Sequence, residues 1–432
     1  MDSIQKTVIP RLSLLFLGAS CFAVVLLEAA SAEYDRDGII RLAYQNNKEL
    51  AVAVLEVERA ASRLEWSGRL ENPELGILAR GDGIGNDEGE SNVEVSFTQR
   101  FPLTSKLKHE KNLRRYQVLL AEAEIAEKRR ELAGRVDQAI IELLAIEANI
   151  ELERQLVALN REIVSFLDSQ AEQGEISRLD VTQAMLNGRT LEQQLKSLVA
   201  QGKQLRHALI HLVGLDADAA LEVAESLALP GRPVDKLDLK SVLRRRPDYT
   251  LALAKIDQTN AAVILEEAQR WEDLSVRFFV EEEEGFDEPV GINRNTFAGV
   301  GFSLPLPLRK RNQDGIAQAR IDQESADKEL AAARFRIGNE LEDASFTRLD
   351  RWELAREASG EILQLAQQNL DDFRTAYEQG QAGLLSVQQA QEQVLEIRTA
   401  SISFVADYHR AAAQWRLVTA SYPGLSITQS SK

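Results

Sequence analysis

Two histidines, His207 and His211, are the residues best spaced for metal chemistry, because they lie one helical turn apart. That spacing places both imidazoles on one face of a helix, where they could share a metal ion. No third ligand follows nearby, and the intervening Ala208-Leu209-Ile210 is typical of an ordinary packed helix. We therefore predict helix packing here and no metal site.

The sequence also lacks the motifs that enzymes use for hydrolytic or phosphate chemistry. It contains neither G-x-S-x-G nor H-E-x-x-H, and Gly299-Val300-Gly301 lies in a predicted strand that ends in prolines. We predict a protein that is not an enzyme and carries no cofactor.

Charge is the strongest remaining chemical signal. The formal net charge of -17 argues against a nucleic-acid partner, because phosphate binding requires a basic surface. A run of three arginines, residues 244–246, precedes Pro247 and predicts a solvated helix start. The densest acidic run has two interpretations, a solvated loop margin or a negative exit collar that favours cations. It comprises Glu281, Glu282, Glu283 and Glu284.

The N-terminus has the pattern of an export signal. Lys6 and Arg11 precede an apolar stretch over residues 12–27, and Ala30-Ser31-Ala32 has the small-x-small form that signal peptidase cleaves. We predict a signal peptide over residues 1–32 and a mature chain that begins near Glu33. Lipidation at Cys21 is the weaker alternative, because an apolar run continues after that cysteine.

The remaining chain contains an internal duplication. Leu50 aligns with Tyr249 and Leu75 with Leu274 at one offset, and Gln173-Gly174 aligns with Gln379-Gly380 at a slightly larger one. An insertion in the loop at 83–91 or 285–294 would explain the change. We predict two structural repeats, each with a helix, a β-hairpin and a long helical hairpin. The repeats span 33–230 (β-hairpin 73–101, tip 174–180) and 231–424 (β-hairpin 274–305, tip 380–386), before a tail at 425–432.

Residues 92–101 show the period-two alternation of a strand. One face carries Val93, Val95, Phe97, Gln99 and Phe101, and the other carries Glu94, Ser96, Thr98 and Arg100. Residues 274–281 and 298–304 alternate in the same way. Such strands suit either a membrane barrel with a watery lumen or a half-buried sheet in a soluble domain.

The helices have coiled-coil lengths. Residues 105–170 and 310–377 contain no proline, and apolar residues such as Leu156, Leu159, Ile163 and Phe166 recur at spacings of three and four. We predict unbroken helices of roughly 100 Å, each followed by a returning helix that ends near Gly214 or Tyr422. Four strands cannot close a barrel alone, so the chain must oligomerise; two copies or three both satisfy this argument.

This order of elements, with its duplication, resembles the outer-membrane factor family, the TolC-like exit ducts of tripartite efflux pumps and type I secretion systems. The resemblance rests on Asn72-Pro73-Glu74-Leu75, the strand end at 97–103, Arg246-Pro247-Asp248, the segment GFSLPLPLRKRNQ at 301–313, and the turns beginning at Gln173 and Gln379. The 301–313 segment looks most like the heavy-metal, cobalt-zinc-cadmium type branch.

The resemblance implies a mainly α-helical homotrimer in the bacterial outer membrane, with a small twelve-stranded β-barrel and a long helical barrel through the periplasm. Both strand-connecting loops would face outside the cell. A periplasmic adaptor would bind the tips, and an inner-membrane pump, of the resistance-nodulation-division type, would supply substrate. The alternatives are a type I secretion duct and a non-conducting periplasmic coiled-coil scaffold.

The resemblance also assigns roles at the tips. Adaptor contact is implied for Gly174, Leu179, Asp180, Val181, Gly380, Leu385, Ser386 and Val387, although the same glycines could serve only to end helices. Asp180 and Tyr377 occupy the places of a gate that holds the tip closed. Ala382, Ser386 and Gln389 stand where the family has an arginine and acidic residues, which predicts a gate with fewer ionic links.

Overall fold

A computed structural model describes residues 32–81, 90–174, 176–233, 237–287, 289 and 291–425. The predicted signal peptide, apart from Ala32, and the tail from residue 426 lie outside these residues. The described part is mainly helical, as predicted, with a four-stranded and a two-stranded sheet.

The elements follow the chain in this order. The helices are α1 (Arg36–Asn46), α2 (Lys48–Trp66), α3 (Lys106–Glu172), α4 (Arg178–Val213), α5 (Leu239–Arg245), α6 (Pro247–Ala268), α7 (Gln313–Glu357), α8 (Leu363–Glu378) and α9 (Leu384–Thr419). The strands are β1 (Ala32–Tyr34), β2 (Glu74–Gly81), β3 (Ser91–Phe101), β4 (Leu221–Val223), β5 (Leu274–Asp287) and β6 (Gly291–Ser303).

Two long helical hairpins dominate the fold. The first hairpin consists of α3, which has 67 residues, and the returning α4. The second hairpin consists of α7, α8 and the returning α9, and α9 also packs against α3. At a rise of 1.5 Å per residue, α3 is about 100 Å long.

The predicted unbroken helix over 310–377 is interrupted. A π-helical turn at Ala358–Ile362 separates α7 from α8. Ser359 donates a hydrogen bond from Oγ to the carbonyl oxygen of Ala355 at 2.6 Å, and Gly360 follows it. A serine hydroxyl that donates to the carbonyl four residues earlier competes with the backbone hydrogen bonds of the helix, and a glycine also weakens them. Both residues are a local reason for the wider turn. No proline marks such an interruption, so the sequence pattern missed it.

The main core lies where the two hairpins meet the shorter helices. Ile39 and Ile40 of α1 pack against Val136 and Ile140 of α3 and Leu209 of α4, and all five are essentially buried. Each such side chain contributes about 1.5–3 kcal/mol of transfer free energy. The helices are therefore held together at this level, and α2 and α6 lead from the helices into the sheet.

The larger sheet is antiparallel in the order β2-β3-β5-β6. Its β5 strand extends to Asp287 and β6 begins at Gly291, so the predicted loop at 285–294 is much shorter than expected. The acidic run 281–284 lies inside β5 because those residues pair with β3 and β6. The other predicted loop, 83–91, lies mostly outside the described residues.

The smaller sheet was not predicted. β1 and β4 pair in parallel, Tyr34 beside Val223, and Arg36 then donates to Glu225 at 2.8 Å. Three-residue strands carry too little pattern to be recognised in a sequence.

Candidate channel wall and helical tips

One face of the four-stranded sheet is apolar along all four strands. The register aligns Leu75, Phe97, Phe278 and Val300 in one row, and Ile77, Val95, Val280 and Ala298 in the next. Period-two alternation brings these side chains to the same face. In the single chain their large members stay between 44% and 72% exposed, so no described element covers this face. An exposed apolar face of this size indicates an apolar environment or a partner.

The opposite face of the sheet is polar. Arg277 pairs with Glu94, and Asn92 donates to Glu281 across the neighbouring strands. Gly299 lies beneath the ring of Phe279, where a Cβ atom would come within 2.6 Å of the ring. The sheet therefore separates an apolar surface from a polar one, as a channel wall in a membrane requires.

The four glutamates of the candidate exit collar are divided between these faces. Glu281 and Glu283 lie on the polar face, whereas Glu282 and Glu284 lie on the other face and pair with Arg294. The prediction from sequence had given all four glutamates the same role. The strand alternation leaves two carboxylates per chain on the polar side.

Both hairpins are anchored by a buried carboxylate at the level of the main core. Asp137 of α3 is fully buried and accepts hydrogen bonds from Arg416 of α9 at 2.8 and 3.0 Å and from Tyr422 at 3.1 Å. Arg36 of α1 lies 3.3 Å from the same carboxylate. Burial, together with the neighbouring Asp137, raises the pKa of Tyr422, so its hydroxyl remains a donor.

A second ion pair links α3 to α9 closer to the tips. Arg410 donates from Nε and Nη2 to Glu142 at 2.7 and 2.8 Å. These hydrogen bonds lower the pKa of Glu142. Asp137 and Glu142 thus join the two hairpins at one end, and we call this region the base of the hairpins. Neither residue had been predicted from the sequence to have a role.

Arg246 contradicts the prediction that residues 244–246 form a solvated helix start. Arg244 and Arg245 are exposed, but Arg246 is only 2% exposed and contacts Asp248 at 2.7 Å and Glu340 at 2.9 Å. Burial alone would raise the pKa of Asp248, but hydrogen bonds and charge from Arg246 lower it. The chain turns between α5 and α6, which directs Arg246 inward toward the end of α9.

The turn of the first hairpin contains Gly174, whose φ of +80° ends α3 in the manner expected of glycine. Ser177 caps α4 by accepting from the backbone N–H of Leu179 at 3.1 Å, and Arg178 pairs with Asp168 at 3.3 Å. Val181 is buried against Leu167, whereas Leu179 is 74% exposed and Asp180 is exposed.

The turn of the second hairpin has weaker capping. Gly380 has a φ of +70°, and Gly383 occupies the N-cap of α9 without a side-chain hydrogen bond. Leu385 and Ser386 lie in the first turn of α9, followed by the buried Val387. Tyr377, the other gate candidate, is half-buried in the last turn of α8.

The two histidines lie on the exposed part of α4. Within the described residues, no cluster of three or more metal-ligating side chains is present. Likewise, none of the described helices combines the length and hydropathy needed to cross a bilayer.

Known proteins share this fold over most of their length. VceC, an outer membrane protein of Vibrio cholerae, matches with a TM-score of 0.68 at 19% identity, covering 89% of this chain and 95% of that one. The MtrE outer membrane channel of Neisseria gonorrhoeae, solved in its open state, matches with a TM-score of 0.69 at 17% identity, covering 89% and 88%.

Comparison of the sequence with known proteins also identifies efflux proteins. The cobalt-zinc-cadmium resistance protein CzcC of Cupriavidus metallidurans is 23% identical over 396 residues, 91% of this chain and 92% of that protein. The family model described as "Outer membrane efflux protein" matches residues 39–216 and 239–421. The exposed apolar sheet face, the long helical hairpins and this match together show that the chain belongs to the outer membrane efflux protein family, whose members are channels of tripartite pumps and not enzymes.

Proposed function

We propose that the chain is the passive exit duct of a tripartite efflux pump, conducting substrates through a lumen that it shares with two further copies of itself. The supporting observation is the four-stranded sheet, with one face apolar and exposed and the other polar. In the described part of the chain, β2 and β6 are edge strands with one partner each. Unpaired backbone groups are not tolerated within lipid, so neighbouring chains must supply the missing partners.

Three chains would give a twelve-stranded barrel, and the joined edges would be β2 of one chain and β6 of the next. Cysteine cross-linking tests this arrangement. Ile77→Cys, combined in turn with Ala298→Cys, Val300→Cys or Phe302→Cys, should give a covalent ring of three chains for at least one pair. Ile77→Cys with Val280→Cys is the matched control, because β3 separates those strands. A ring of two chains, or monomers throughout the panel, would contradict the trimer.

The proposed export route removes residues 1–32, so that the mature chain begins at Glu33 and the strand-connecting loops face outward. Mass spectrometry of the N-terminal peptide from the purified protein distinguishes this from lipidation at Cys21. Membrane fractionation separates the duct from the scaffold alternative, since recovery from the soluble periplasm contradicts the duct.

We further propose that the tips bind a periplasmic adaptor, linked to a pump of the resistance-nodulation-division type. Leu179 and Asp180 are exposed and therefore accessible to a partner, which supports this proposal. Val181 and Val387 are buried within their hairpins. Leu179→Asp should weaken binding of the purified adaptor by at least about tenfold in calorimetry. Met185→Asp, a similarly exposed apolar position further along α4, is the matched control.

The proposed cargo is heavy-metal cations, as suggested by the relative CzcC. Glu281 and Glu283 would then form the cation-favouring collar on the polar face. Replacing both by glutamine should reduce the cation preference measured from reversal potentials, whereas replacing Glu282 and Glu284 should change it less. Gene deletion followed by growth on zinc, cobalt, cadmium, copper, dyes and detergents tests the cargo directly.

A further inference from the structure

The segment 301–313 lines a groove at the helical end of the sheet, between the end of β6 and the start of α7. Residues of α7 and the two residues Arg270 and Trp271 before β5 complete the lining, and the groove has a volume of about 760 Å³. Its lining combines three arginines, Arg270, Arg311 and Arg320, with the large apolar residues Trp271, Leu306 and Leu308.

Hydrogen bonds hold this segment in a defined shape. The backbone N–H of Leu308 donates to the carbonyl of Leu306 at 2.8 Å, and Arg311 donates from Nε to the carbonyl of Pro307 at the same distance. Asn312, with a φ of +56°, donates to the carbonyl of Glu266 at 3.0 Å. The groove is therefore preorganised, and the exposed side chain of Arg311 is held through its Nε.

The charge of the groove is opposite to that of the chain. Its three arginines line it without a carboxylate among the lining residues, in a protein of net charge -17. Glu267, which is outside the lining, pairs with Arg320 at 2.9 Å and with Arg270 at 3.8 Å, so two of the three arginines share one carboxylate and the group keeps a net positive charge. A planar guanidinium group is suited to bidentate contact with phosphate oxygens.

The apolar residues of the lining follow the apolar face of the sheet along the chain. Phe302, the last large residue of that face in β6, is 72% exposed, and Leu306 and Leu308 beyond it are 63% and 74% exposed. Trp271 is 47% exposed three residues before β5. Tryptophan beside arginine at the end of an apolar band is typical of the membrane–water interface.

We propose that this groove binds the headgroup of an anionic phospholipid in the periplasmic leaflet, with the phosphate held by Arg270, Arg311 and Arg320 and the acyl chains lying along Leu306, Leu308 and Phe302. The inference rests on the proposed function, because it requires the apolar face of the sheet to lie in the outer membrane. The lipid seals the joint between barrel and helices.

Native mass spectrometry of the full-length oligomer in detergent tests this site, with phosphatidylglycerol and phosphatidylcholine as probes. Wild type should retain phosphatidylglycerol over phosphatidylcholine by about tenfold, with up to one tightly held lipid per chain. Arg270→Gln/Arg311→Gln/Arg320→Gln should lose that preference. Arg59→Gln/Arg154→Gln/Arg189→Gln, three exposed arginines on other helices, should keep it.

Two further measurements identify the occupant. Inorganic phosphate at millimolar concentration should not displace the lipid; displacement would indicate a free-anion site and overturn the lipid assignment. Spontaneous cross-linking of Leu306→Cys to Leu70→Cys of a neighbouring chain would show that protein covers the groove, which also overturns it. Equal retention of both lipids by wild type would do the same.

The failure of this inference is separable from failure of the proposed function. If the edge-strand cysteines form rings of three chains while lipid retention shows no preference, the duct stands and the lipid site is wrong. If no ring forms, the proposed trimeric duct is contradicted whatever the lipid retention shows.

Discussion

The two helical hairpins start from a common base and differ toward their tips. In the first hairpin, α3 continues without interruption for 67 residues, and Ser177 caps the returning α4. In the second, a π-helical turn at Ala358–Ile362 interrupts the outgoing helix, and Gly383 gives α9 no side-chain cap. The ion pair between Arg178 and Asp168 belongs to the first hairpin.

We propose that this difference gives the two hairpins different mechanical roles. The first hairpin has the regular helix and the stabilised turn of a fixed wall. The second has a weak point in the helix and a turn held mainly by backbone hydrogen bonds, so its outer part costs less free energy to bend or fray. We expect the movement that opens the tip to be larger in the second hairpin.

The base should show the largest effect of mutation, because both hairpins depend on it. Asp137→Asn removes the charge that Arg36 and Arg416 neutralise in a fully buried site, and should destabilise the protein by about 3–5 kcal/mol. The measurement is the free energy of unfolding in guanidinium chloride, in detergent and at constant protein concentration.

Glu151→Gln provides the control for this prediction. Glu151 pairs with Arg154 at 3.6 Å on an exposed helix surface, and both side chains are 60% exposed. Its loss should cost less than about 0.5 kcal/mol. Equal effects of Asp137→Asn and Glu151→Gln would contradict the idea of a shared base.

The second prediction compares the residues that hold the ends of the returning helices. Asn47 donates to Leu212 at the end of α4 at 2.8 Å, and Arg246 donates to Val418 at the end of α9 at 3.1 Å. Arg246→Gln should cost about 2–4 kcal/mol, since it also leaves Asp248 and Glu340 without their partner. Asn47→Ala should cost about 1–2 kcal/mol through loss of a cap.

The pH dependence of this difference checks its electrostatic origin. Because the pKa of Asp248 is lowered in the folded state, its stabilisation is present above the unfolded-state pKa of about 3.9 and is lost as the pH falls through the folded value. The gap in stability between wild type and Arg246→Gln should therefore shrink in acid. A gap that stays constant from pH 7 to pH 3 would indicate loss of packing instead.

Local patterns predicted most of the helices and strands, because both are encoded by residues close in sequence. Residues 105–170 were predicted as one helix and α3 covers 106–172. The acidic residues 281–284 were predicted at a strand end, but cross-strand partners such as Asn92 and Arg294 extend β5 through them. Asn92 is 189 residues from Glu281, and Arg294 lies ten residues from Glu284 on the opposite strand of the hairpin, so neither partner leaves a local periodicity in the run.

The base of the hairpins was missed for the same reason. Asp137 and Arg416 are 279 residues apart, and a single aspartate or arginine in a charged helix is unremarkable. The one available signal was an aspartate between Val136 and the apolar Ala139-Ile140-Ile141. Arg246 was misjudged because a run of three arginines was treated as one feature, although the turn before Pro247 buries only the third.

The third prediction addresses the caps at the two tips. Ser177→Ala should destabilise the first turn of α4 by about 1 kcal/mol. Gly383→Ser should stabilise the start of α9 by about 0.5 kcal/mol, because serine adds a side-chain cap and restricts the unfolded chain. The φ and ψ of Gly383 suit serine, and an added Cβ atom meets nothing within 4 Å. Hydrogen exchange of tip amides measures both effects. Similar exchange rates at the two wild-type tips would contradict the proposed asymmetry.

The smallest effect on stability, and the most direct test of gating, is expected at Asp180. This carboxylate is exposed in the first turn of α4, and its counterpart in the predicted duplication is Ser386, which cannot form an ion pair. If Asp180 links neighbouring chains in the closed state, Asp180→Ala should raise single-channel conductance in planar bilayers while changing the unfolding free energy by less than about 0.5 kcal/mol. Ser386→Ala should leave conductance unchanged, which makes it the matched control at the other tip. Unchanged conductance and unchanged antibiotic leakage in Asp180→Ala would remove Asp180 from the gate, and the closed tip would then depend on Tyr377 and on packing within the hairpins.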